Sequence, residues 1–366
     1  MCSLVAQEPC QLHSEGFLAS VHSAEQNAQQ GMQQVVMASS QPAENHSGMT
    51  VREATQYWYT RAHRALKQRW SDYNQMMREY QHVAALDDGI EHTTSVAKSK
   101  AAGGRNRYCN VLPYDYNRVV LSDQQYINAS LVQVQLPMLQ RPCSYIATQG
   151  PLPTTAADFW RMVFELKVPA IVMLTNVTEC GMSKCAEYFP AQPSGRISLP
   201  GFKLQVEQVV PFSPDCTLRV MRLSDLGSDS SHMLSHYHFH AWPDHGIPDS
   251  SAGLRAVCRA LSTARESGAP VVVHCSAGIG RTGTFCAIDI LLQRLDAWPQ
   301  CQDGCGPDRA EVEAALNVPN LVHELRRQRM GMVQTLEQYA FVYKAVVDDL
   351  QARTKSYQRQ QQGGTQ

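Results

Sequence analysis

One short segment, residues 271–283, restricts the possible folds of this chain more than any other feature. It reads Val-Val-Val-His-Cys-Ser-Ala-Gly-Ile-Gly-Arg-Thr-Gly, so a β-branched run enters a loop and an apolar-periodic helix leaves it. Gly278 and Gly280 permit backbone conformations that turn successive N–H groups inward, which makes an anion-binding nest. The helix directs the positive end of its dipole at the same place. The segment therefore predicts a phosphate-binding loop, residues 275–280, which we call the cysteine loop.

Cys275 and Arg281 bring a nucleophile and a cation to this loop. An electropositive loop favours the thiolate of a cysteine over its thiol, and a guanidinium can hold two oxygens of one phosphoryl group. Residues 216–222 have the same Cys-x5-Arg spacing but contain no glycine, and they are predicted to form a strand. The loop at Cys275 indicates phosphoryl transfer, with a buried structural cysteine in a glycine turn as the alternative.

The composition excludes several other classes of protein. The 366 residues include 32 Lys and Arg against 33 Asp and Glu, a formal net charge of -1, so no chain-wide basic field for nucleic acid is expected. The longest apolar run, residues 168–174, is far shorter than the ~20 residues of a membrane-spanning helix and is predicted to be a buried strand. The 12 cysteines are scattered and no Lys or Arg precedes Arg52, so we expect a cytoplasmic protein with reduced thiols.

The chain divides into three regions by composition. Residues 1–50 hold eight glutamines and almost no aromatic residues, which predicts a disordered segment that could bind an unidentified partner. Residues 353–366 are predicted to be a disordered tail. Residues 51–352 contain no linker-like stretch, and they are predicted to form one domain of a monomeric protein.

Hydrophobic periodicity predicts the order of elements in that domain. Apolar residues, Trp58 and Met77 among them, recur at three- and four-residue steps from Val51 to Tyr80, which predicts an opening helix with one apolar stripe. Strands are predicted at 170–176, 202–210, 217–223 and 271–274, and helices at 252–267, 282–297, 319–329 and 336–351. Strands mixed with crossover helices indicate an α/β or α+β sheet with helices on both faces.

The cysteine loop resembles the signature loop of the cysteine-based protein tyrosine phosphatases, and further segments between residues 57 and 350 resemble that family in its own order. They are Asn-Arg-Tyr at 106–108 with Leu-Pro-Tyr-Asp at 112–115, Tyr-Ile-Asn-Ala-Ser at 126–130, Ala-Thr-Gln-Gly-Pro at 147–151, Asp-Phe-Trp-Arg-Met at 158–162, Trp-Pro-Asp-His-Gly at 242–246 and Val-Gln-Thr-Leu-Glu-Gln at 333–338. The resemblance, to tyrosine-specific non-receptor members, implies a single catalytic domain with a central twisted mixed β-sheet flanked by helices on both faces. It also implies a protein-tyrosine-phosphatase that needs no metal or other cofactor and acts on phosphotyrosine-containing proteins.

The resemblance further implies a role for each matched residue. Cys275 attacks phosphorus to form a cysteinyl-phosphate, and Arg281 binds the phosphate oxygens together with the backbone N–H groups of Ser276, Ala277, Gly278, Ile279 and Gly280. Asp244 protonates the leaving tyrosinate and later takes a proton from the water that Gln334 and Gln338 position. Supporting roles fall to Thr282 at the sulfur, His274 behind the loop, Trp242 in the acid loop, Glu179 beside Arg281 and Lys184 beside the acid loop.

The choice of substrate is predicted from the residues around the pocket. A pocket walled by Tyr108 would reach a phosphate on a long aryl stem but not one on serine or threonine. Arg281 is the only basic residue within the loop motif, which disfavours phosphoinositides. Asn110 stands where most family members carry Asp, and it can still hydrogen-bond a peptide backbone. Gly331 either leaves room for a second acidic or phosphorylated side chain or is a turn glycine, and His245 leaves one pocket wall undefined.

Other interpretations of the sequence stay open. The chain could be a catalytically weak phosphotyrosine-binding pseudophosphatase, or a phosphoinositide or Ser/Thr phosphatase. His236, His238 and His240 share one strand face and could bind a metal, although no acidic or cysteine ligand lies nearby in sequence. Cys275 is predicted to be redox-sensitive and to form a sulfenic acid or a sulfenamide with the Ser276 nitrogen. Weaker candidates are acylation of Cys2, a redox or zinc pair at Cys301 and Cys305, and phosphorylation of Tyr357.

Overall fold

The computed structural model of the protein describes residues 51–87, 89–136, 141–228, 230–244, 246–297 and 315–363. The predictions for residues 1–50, including Cys2, and for His245, Cys301 and Cys305 lie outside these ranges. Among the helices within them, none is both long enough and apolar enough to cross a lipid bilayer.

A mixed β-sheet forms the centre of the fold. Its strands, in chain order, are β1 (Arg118–Val120), β2 (Tyr126–Val134), β3 (Cys143–Thr148), β4 (Ala170–Met173), β7 (Arg196–Leu199), β8 (Phe202–Ser213), β9 (Cys216–Asp225), β10 (Ser231–Phe239) and β11 (Val271–His274). A separate hairpin consists of β5 (Thr178–Glu179) and β6 (Met182–Ser183). The spatial order in the large sheet is β1-β2-β3-β11-β4-β10-β9-β8-β7. The central strands β3, β11, β4 and β10 run parallel, and the outer pairings are antiparallel.

The parallel centre of the sheet consists of strands that are buried on both faces. All four residues of β4 and all four of β11 are buried, as expected for strands that helices cover on both sides. Val271 and Val273 pack into the core on one face, and Val272 packs into the core on the other. The segment that begins at Cys216 is strand β9 and not a phosphate-binding loop. The predicted α/β architecture with a mixed sheet is therefore confirmed.

Helices cover both faces of this sheet. They are α1 (Val51–Ser71), α2 (Tyr73–Asp87), α3 (Ala156–Glu165), α4 (Ala252–Ala260), α5 (Ser262–Glu266), α6 (Gly280–Ala297), α7 (Val318–Gln328) and α8 (Leu336–Gly363). Helices α6, α7 and α8 contribute to the larger core on one face, whereas α3 packs through Phe159 and Trp160 on the other. Because α6 begins directly after the central strand β11, the loop between them opens at the carboxyl edge of the parallel strands. This edge is where open α/β sheets bind ligands.

The start of the described chain differs from the sequence prediction. Two helices, α1 and α2, replace the single helix, because the Asp72 carboxylate accepts a hydrogen bond of 2.9 Å from a backbone N–H in the first turn of α2 and caps that helix. Tyr59 and Met76 are buried, whereas Trp58 and Met77 are only partly buried. The prediction of a single helix is therefore wrong, whereas the apolar stripe is confirmed along α1, where Ala54, Ala62 and Leu66 are buried and Trp58 and Trp70 pack against the core.

The end of the chain also differs from the prediction, since α8 continues to residue 363 where a disordered tail is expected from residue 353. The Arg353 guanidinium explains the extension. It pairs with Asp349 one turn earlier and with Asp296 on α6, both at 2.6 Å. Tyr357 then packs against α1. These contacts hold the last helix against the domain beyond the predicted boundary.

Candidate active site

The cysteine loop lies in a cleft of about 590 Å³, and Cys275 lines that cleft. The cysteine is only 5% exposed. Its sulfur receives two hydrogen bonds of 3.3 Å, one from the Gly278 N–H and one from the Thr282 hydroxyl. Both donors point at the sulfur, and Thr282 lies where the family resemblance predicts it.

A buried arginine that the sequence analysis did not single out, Arg329, holds the cysteine loop from behind. Its Nε donates a hydrogen bond of 2.7 Å to the Gly278 carbonyl, and its Nη2 donates one of 3.1 Å to the Ala277 carbonyl. Burial lowers the pKa of Arg329 to about 10, so this side chain is still a cation at neutral pH. The N–H and C=O groups of a planar peptide point in opposite directions. Because Arg329 binds these two carbonyls on one side of the loop, the N–H groups of the same peptides face the other side.

Gly278 is the position where the loop admits no side chain. Its φ is +75°, and a Cβ there would lie 2.1 Å from the carbonyl oxygen of Thr148 on β3. Glycine adopts positive φ at little cost and has no Cβ to clash. The loop therefore lies directly against the neighbouring strand, and its path depends on this glycine.

Glu179 fixes the orientation of the Arg281 guanidinium. The two side chains form a bidentate pair, with Nη1 to Oε1 at 2.7 Å and Nη2 to Oε2 at 2.9 Å. Nη1 also donates to the Leu174 carbonyl at 3.0 Å. Glu179 is itself buried and receives hydrogen bonds from the Thr175 hydroxyl and the Asn176 N–H. Such a fork is held in one plane, so the position of the guanidinium beside the cleft is fixed.

The acid loop, residues 242–246, lies over Arg281. Nη2 of Arg281 donates to the backbone carbonyls of Pro243 and Asp244 at 3.0 and 3.4 Å, and the Trp242 indole N–H closes the loop on the Gly246 carbonyl at 3.1 Å. The Asp244 carboxylate therefore faces the same cleft as the cysteine.

Asp244 is held in its carboxylate form in this arrangement. The Cys180 thiol and the Lys184 ammonium, in that order, keep the pKa of the Asp244 carboxyl well below its usual range. The distance from Lys184 Nζ to Asp244 Oδ1 is 3.0 Å. Lys184 thus lies beside the acid loop as the sequence analysis expects, whereas Cys180 was not singled out there.

His274 belongs to a buried hydrogen-bonded chain behind the loop. Its Nδ1 donates to the Cys275 carbonyl at 3.1 Å, and its Nε2 lies 2.7 Å from the Tyr188 hydroxyl. That hydroxyl is also 2.8 Å from Nε2 of His236. Burial lowers the pKa of His274 to about 4 and holds that of His236 well below its usual value. His274 is therefore neutral at neutral pH and orients the loop backbone.

His236 and His238 lie on β10, and His240 directly follows that strand. No group of three or more His, Cys, Asp or Glu side chains suited to a metal occurs within the described ranges. His236 is occupied by Tyr188, and Nε2 of His238 lies 3.0 Å from the Thr175 carbonyl oxygen. Burial lowers the pKa of His238 to about 4. These contacts tie His236 and His238 of β10 to neighbouring segments.

Tyr108 and Asn110 both line the cleft, and Tyr108 is the one aromatic residue among the described residues of the lining. The Tyr108 and Ser276 hydroxyls are 2.8 Å apart, so the tyrosine is hydrogen-bonded to the cysteine loop. Gly331 has φ +66°, and a Cβ there would lie 3.4 Å from Ile279 Cδ1, which is ordinary contact. Its conformation supports the interpretation of Gly331 as a turn glycine.

The glutamine loop packs against the cysteine loop. Gln334 and Gln338 both line the cleft, and the Gln338 side-chain oxygen accepts a hydrogen bond of 2.9 Å from the Gln334 N–H. The carbonyl of Ile279 accepts one of 3.2 Å from Val333, a β-branched residue with φ +59°. Such a φ is strained for a β-branched residue. The position of Gln334 therefore depends on contacts between the two loops.

The structure brings most of the predicted site residues into one cleft. Its lining includes Tyr108, Asn110, Glu179, Lys184, Asp244, Cys275, Ser276, Ala277, Ile279, Gly280, Arg281, Gln334 and Gln338. Four predicted residues support this lining from outside it, namely Trp242, His274, Gly278 and Thr282. Four contributors were missed, namely Tyr80, Cys180, Tyr188 and Arg329. A strongly polar side chain in an apolar-periodic stretch is the one sequence signal that marks Arg329.

Comparison with protein families matches residues 103–348 to the family described as protein-tyrosine phosphatase. The match spans well over half of the chain, so the chain belongs to the protein-tyrosine phosphatase family.

Three similar relatives are receptor-type tyrosine-protein phosphatases eta. The mouse (Mus musculus) protein is 39% identical over 290 residues, which cover 76% of this chain and 21% of the relative. The human (Homo sapiens) protein is 39% identical over 279 residues, covering 73% and 19%. The chicken (Gallus gallus) protein is 36% identical over 286 residues, covering 75% and 18%. The chain thus spans about a fifth of the length of these relatives.

Proposed function

We propose that this chain hydrolyses phosphotyrosine in proteins through a cysteinyl-phosphate intermediate. One observation carries the proposal: a buried cysteine, an arginine held by a bidentate carboxylate and an aspartate on a covering loop meet in one cleft. Each supplies one of the three requirements of phosphomonoester hydrolysis, namely a nucleophile, stabilisation of the phosphoryl charge and a proton donor.

In the first step, the Cys275 sulfur forms a bond to phosphorus while the bond from phosphorus to the tyrosine oxygen breaks. Arg281 and the N–H groups of the cysteine loop hold the equatorial oxygens, as charge develops on them. Asp244, once protonated, gives its proton to the phenolate that leaves. The acid loop excludes water while it covers the cleft.

In the second step, a water molecule attacks phosphorus and the bond between sulfur and phosphorus breaks. Asp244, now a carboxylate, accepts the proton of that water. Gln334 and Gln338 line the cleft and would orient the water on the phosphorylated enzyme. The Thr282 hydroxyl, at 3.3 Å from the sulfur, would stabilise the thiolate as it leaves.

The phosphotyrosine substrate is favoured by the pocket wall. Tyr108, hydrogen-bonded to Ser276, stands beside the buried nucleophile and would stack on an aryl ring. The cysteine loop carries no lysine, and Arg281 is the only basic residue within the motif, so the loop itself offers few cationic partners to a highly phosphorylated lipid headgroup. Phosphoinositide and Ser/Thr phosphatases are accordingly the weaker alternatives.

A phosphotyrosine-binding pseudophosphatase is the second candidate, and one observation favours it. The ion pair with Lys184 at 3.0 Å holds Asp244 as a carboxylate, which cannot protonate a leaving group. Binding of a phosphorylated substrate adds negative charge to this cleft and would raise the pKa of Asp244. We therefore expect Asp244 to become a competent acid in the complex.

The interpretation as a monomeric, cytoplasmic, non-receptor member is part of the same proposal, as is the redox sensitivity of Cys275. The cytoplasmic location rests on the scattered cysteines, and membership of the non-receptor class rests on the family resemblance of the sequence. Fractionation of cells that express the full-length protein, with detection by antibody, tests the location. Recovery in the membrane fraction would contradict it.

Single-turnover hydrolysis of a phosphotyrosyl peptide, without added metal, tests the proposed activity. We expect turnover by the wild type, none by Cys275→Ser, and slow turnover with retained binding by Asp244→Ala. Binding without turnover by the wild type would establish the pseudophosphatase instead. Hydrolysis of a phosphoseryl peptide or a phosphoinositide at an equal rate would contradict the assigned substrate class.

A further inference from the structure

Five Asp, Glu, Lys or Arg side chains of the described residues line the cleft, and four of them are paired with one another. Arg281 forms its bidentate pair with Glu179 at 2.7 and 2.9 Å, and Lys184 lies 3.0 Å from Asp244. The fifth is Glu337, whose carboxylate forms no ion pair or hydrogen bond with any residue in the described ranges. This carboxylate is therefore available to a ligand that enters the cleft.

Glu337 lies in the first turn of α8, directly before the buried Gln338. Gln338 packs against the cysteine loop, since a Cβ on Gly280 would lie 3.0 Å from its side-chain oxygen. Successive helix residues are turned by about 100° from each other, and Glu337 is exposed although it lines the cleft. Glu337 therefore lies where the cleft meets solvent.

The wall that carries Tyr108 brings no free cation to the cleft. Cys109 and Asn110, which follow Tyr108, are not basic. Arg107, which precedes it, donates hydrogen bonds of 3.1 and 2.8 Å to two backbone carbonyls. The described lining thus holds three acidic side chains against two basic ones, and the unbalanced charge belongs to Glu337.

We propose that Glu337 is a specificity-determining residue, which binds a lysine or arginine side chain of the substrate within two residues of its phosphotyrosine. The proposal rests on the proposed function, because it names a further feature of the same substrate. The family resemblance assigns roles to Gln334 and Gln338 in this segment and none to Glu337 between them.

The depth of the nucleophile explains why the neighbours of phosphotyrosine would meet Glu337. Cys275 is only 5% exposed, so an aryl phosphate has to enter the cleft to reach it, while the peptide backbone stays at the opening. A lysine or arginine beside the phosphotyrosine has a long flexible stem that can bring its charge to an exposed carboxylate. An acidic side chain at the same place would face a like charge, which disfavours binding.

The first measurement compares kcat/KM for phosphotyrosyl peptides that differ only in one residue, which is Lys, Gln or Glu at each of the two positions on either side. For the wild type we expect the order Lys, Gln, Glu at one of these positions, with roughly a threefold to fivefold step for an exposed pair at low ionic strength. The steps should shrink in 1 M NaCl because salt screens exposed charges. A wild type that makes no distinction, or that prefers Glu, would overturn the proposal.

Glu337→Gln should abolish this preference, so that the Lys, Gln and Glu peptides are hydrolysed at similar rates. The amino end of a helix stabilises a carboxylate, and loss of that stabilisation alone would change all three peptides by the same factor. Only recognition of a cation changes their ratio. Glu187→Gln removes an exposed carboxylate outside the cleft lining and is the matched control, which should keep the wild-type preference. An unchanged ratio in Glu337→Gln would overturn the proposal.

The second measurement needs no catalysis and separates failure of this proposal from failure of the proposed function. Binding of the same peptides, labelled with a fluorophore, is followed by anisotropy in Cys275→Ser and in the double variant with Glu337→Lys. We expect the first to bind the Lys peptide more tightly than the Glu peptide and the second to reverse that order, while binding of the Gln peptide shows that both chains are folded. Equal affinities in Cys275→Ser, or the same order in both variants, would overturn the proposal. A wild type that binds with the Lys preference but hydrolyses no peptide would overturn only the proposed activity.

Discussion

The Tyr80 hydroxyl on α2 donates a hydrogen bond of 2.5 Å to the backbone carbonyl of Gln334. The Arg326 guanidinium lies 5.4 Å from the centroid of the Tyr80 ring and forms an ion pair of 2.7 Å with Asp87 at the end of the same helix. Helix α2 precedes the residues that match the family. An element outside the matched region thus holds the loop that carries Gln334, the glutamine that we propose positions water.

Substitution of Tyr80 by Phe tests this relationship. Loss of one hydrogen bond costs about 1 kcal/mol, and we expect the second chemical step to slow severalfold because the glutamine loop loses an anchor. Pre-steady-state kinetics with a chromogenic aryl phosphate should show a larger burst of phenol than the wild type shows. Tyr73→Phe, at an exposed tyrosine of the same helix, is the matched control and should leave the burst unchanged. A lower first-step rate with no change in burst would contradict the assignment.

Substitution of Lys184 by Met tests the ion pair with Asp244. Lys184 lowers the pKa of the Asp244 carboxyl, so its removal should raise that pKa and keep the acid protonated to higher pH. The alkaline limb of kcat/KM should therefore move upward, by roughly one pH unit at low ionic strength. The interaction is between charges and is screened by salt, so the difference from the wild type should narrow in 1 M NaCl. A limb that moves downward would show that Lys184 does not act through Asp244.

Substitution of Glu179 by Gln tests the fixed orientation of Arg281. Glutamine keeps the shape of the side chain but cannot form the charged bidentate pair. We expect kcat/KM to fall by about ten- to a hundredfold, since a small misplacement of a binding group has effects of this size. Inhibition by inorganic phosphate should weaken as well, because in the proposed mechanism Arg281 binds the phosphate oxygens. Glu187→Gln, at an exposed glutamate near the hairpin, is the control and should match the wild type.

The sequence predicted the cysteine loop because its signals are local. The valine run, Gly278 and the periodic helix lie within a few residues of each other, and each favours the same strand, loop and helix. The pairing of Glu179 with Arg281 is different, since 102 residues separate them. Only the family resemblance, and no pattern of residues, brought these two together before the fold was known.

Other features could not be predicted because they depend on packing between distant segments. Arg329 binds carbonyls of the cysteine loop about 50 residues earlier in the chain, and the apolar period around it does not indicate which segment it contacts. The prediction of a single opening helix failed because Asp72 caps a second helix there, although the predicted stripe is buried along α1. The last turns of α8 were not predicted, because the polar composition of residues 353–366 indicates disorder. In the structure, Arg353 pairs with Asp296 and with the buried Asp349.

That network makes a prediction for stability. Asp349 has a fully buried carboxylate, paired with Arg353 at 2.6 Å, with Arg255 at 3.2 Å and with Arg259. Burial alone would raise the pKa of Asp349, but the three arginines outweigh it and the pKa is lowered. A lowered folded-state pKa stabilises the protein above the unfolded value of about 3.9. This contribution should be constant from pH 6 to 8 and should be lost as the pH falls through the lower folded-state pKa.

Urea unfolding measures the free energy of unfolding of the wild type and of Asp349→Asn, from pH 8 down to acid pH. Removing one partner of a buried charge cluster costs about 3–5 kcal/mol, so we expect a loss of this size in the free energy of unfolding at pH 7. The loss should shrink on acidification, since the wild type then loses the same charge. Asp348→Asn, which removes a partly exposed partner of Lys344, should cost about 1 kcal/mol or less. Equal losses for the two variants would contradict the role of the buried network.

The hold of Arg329 on the cysteine loop has a consequence for inactive forms of this protein. The carbonyls of Gly278 and Ala277 are bound without any contribution from the Cys275 sulfur, so a chain that lacks the nucleophile keeps its anion receptor. Such a chain would shield phosphotyrosine from other enzymes instead of removing the phosphate. If the chain hydrolyses phosphotyrosine as proposed, losing one sulfur atom would prolong the phosphorylated state that the intact protein removes, and an inactive allele would behave as an antagonist and not merely as a missing copy.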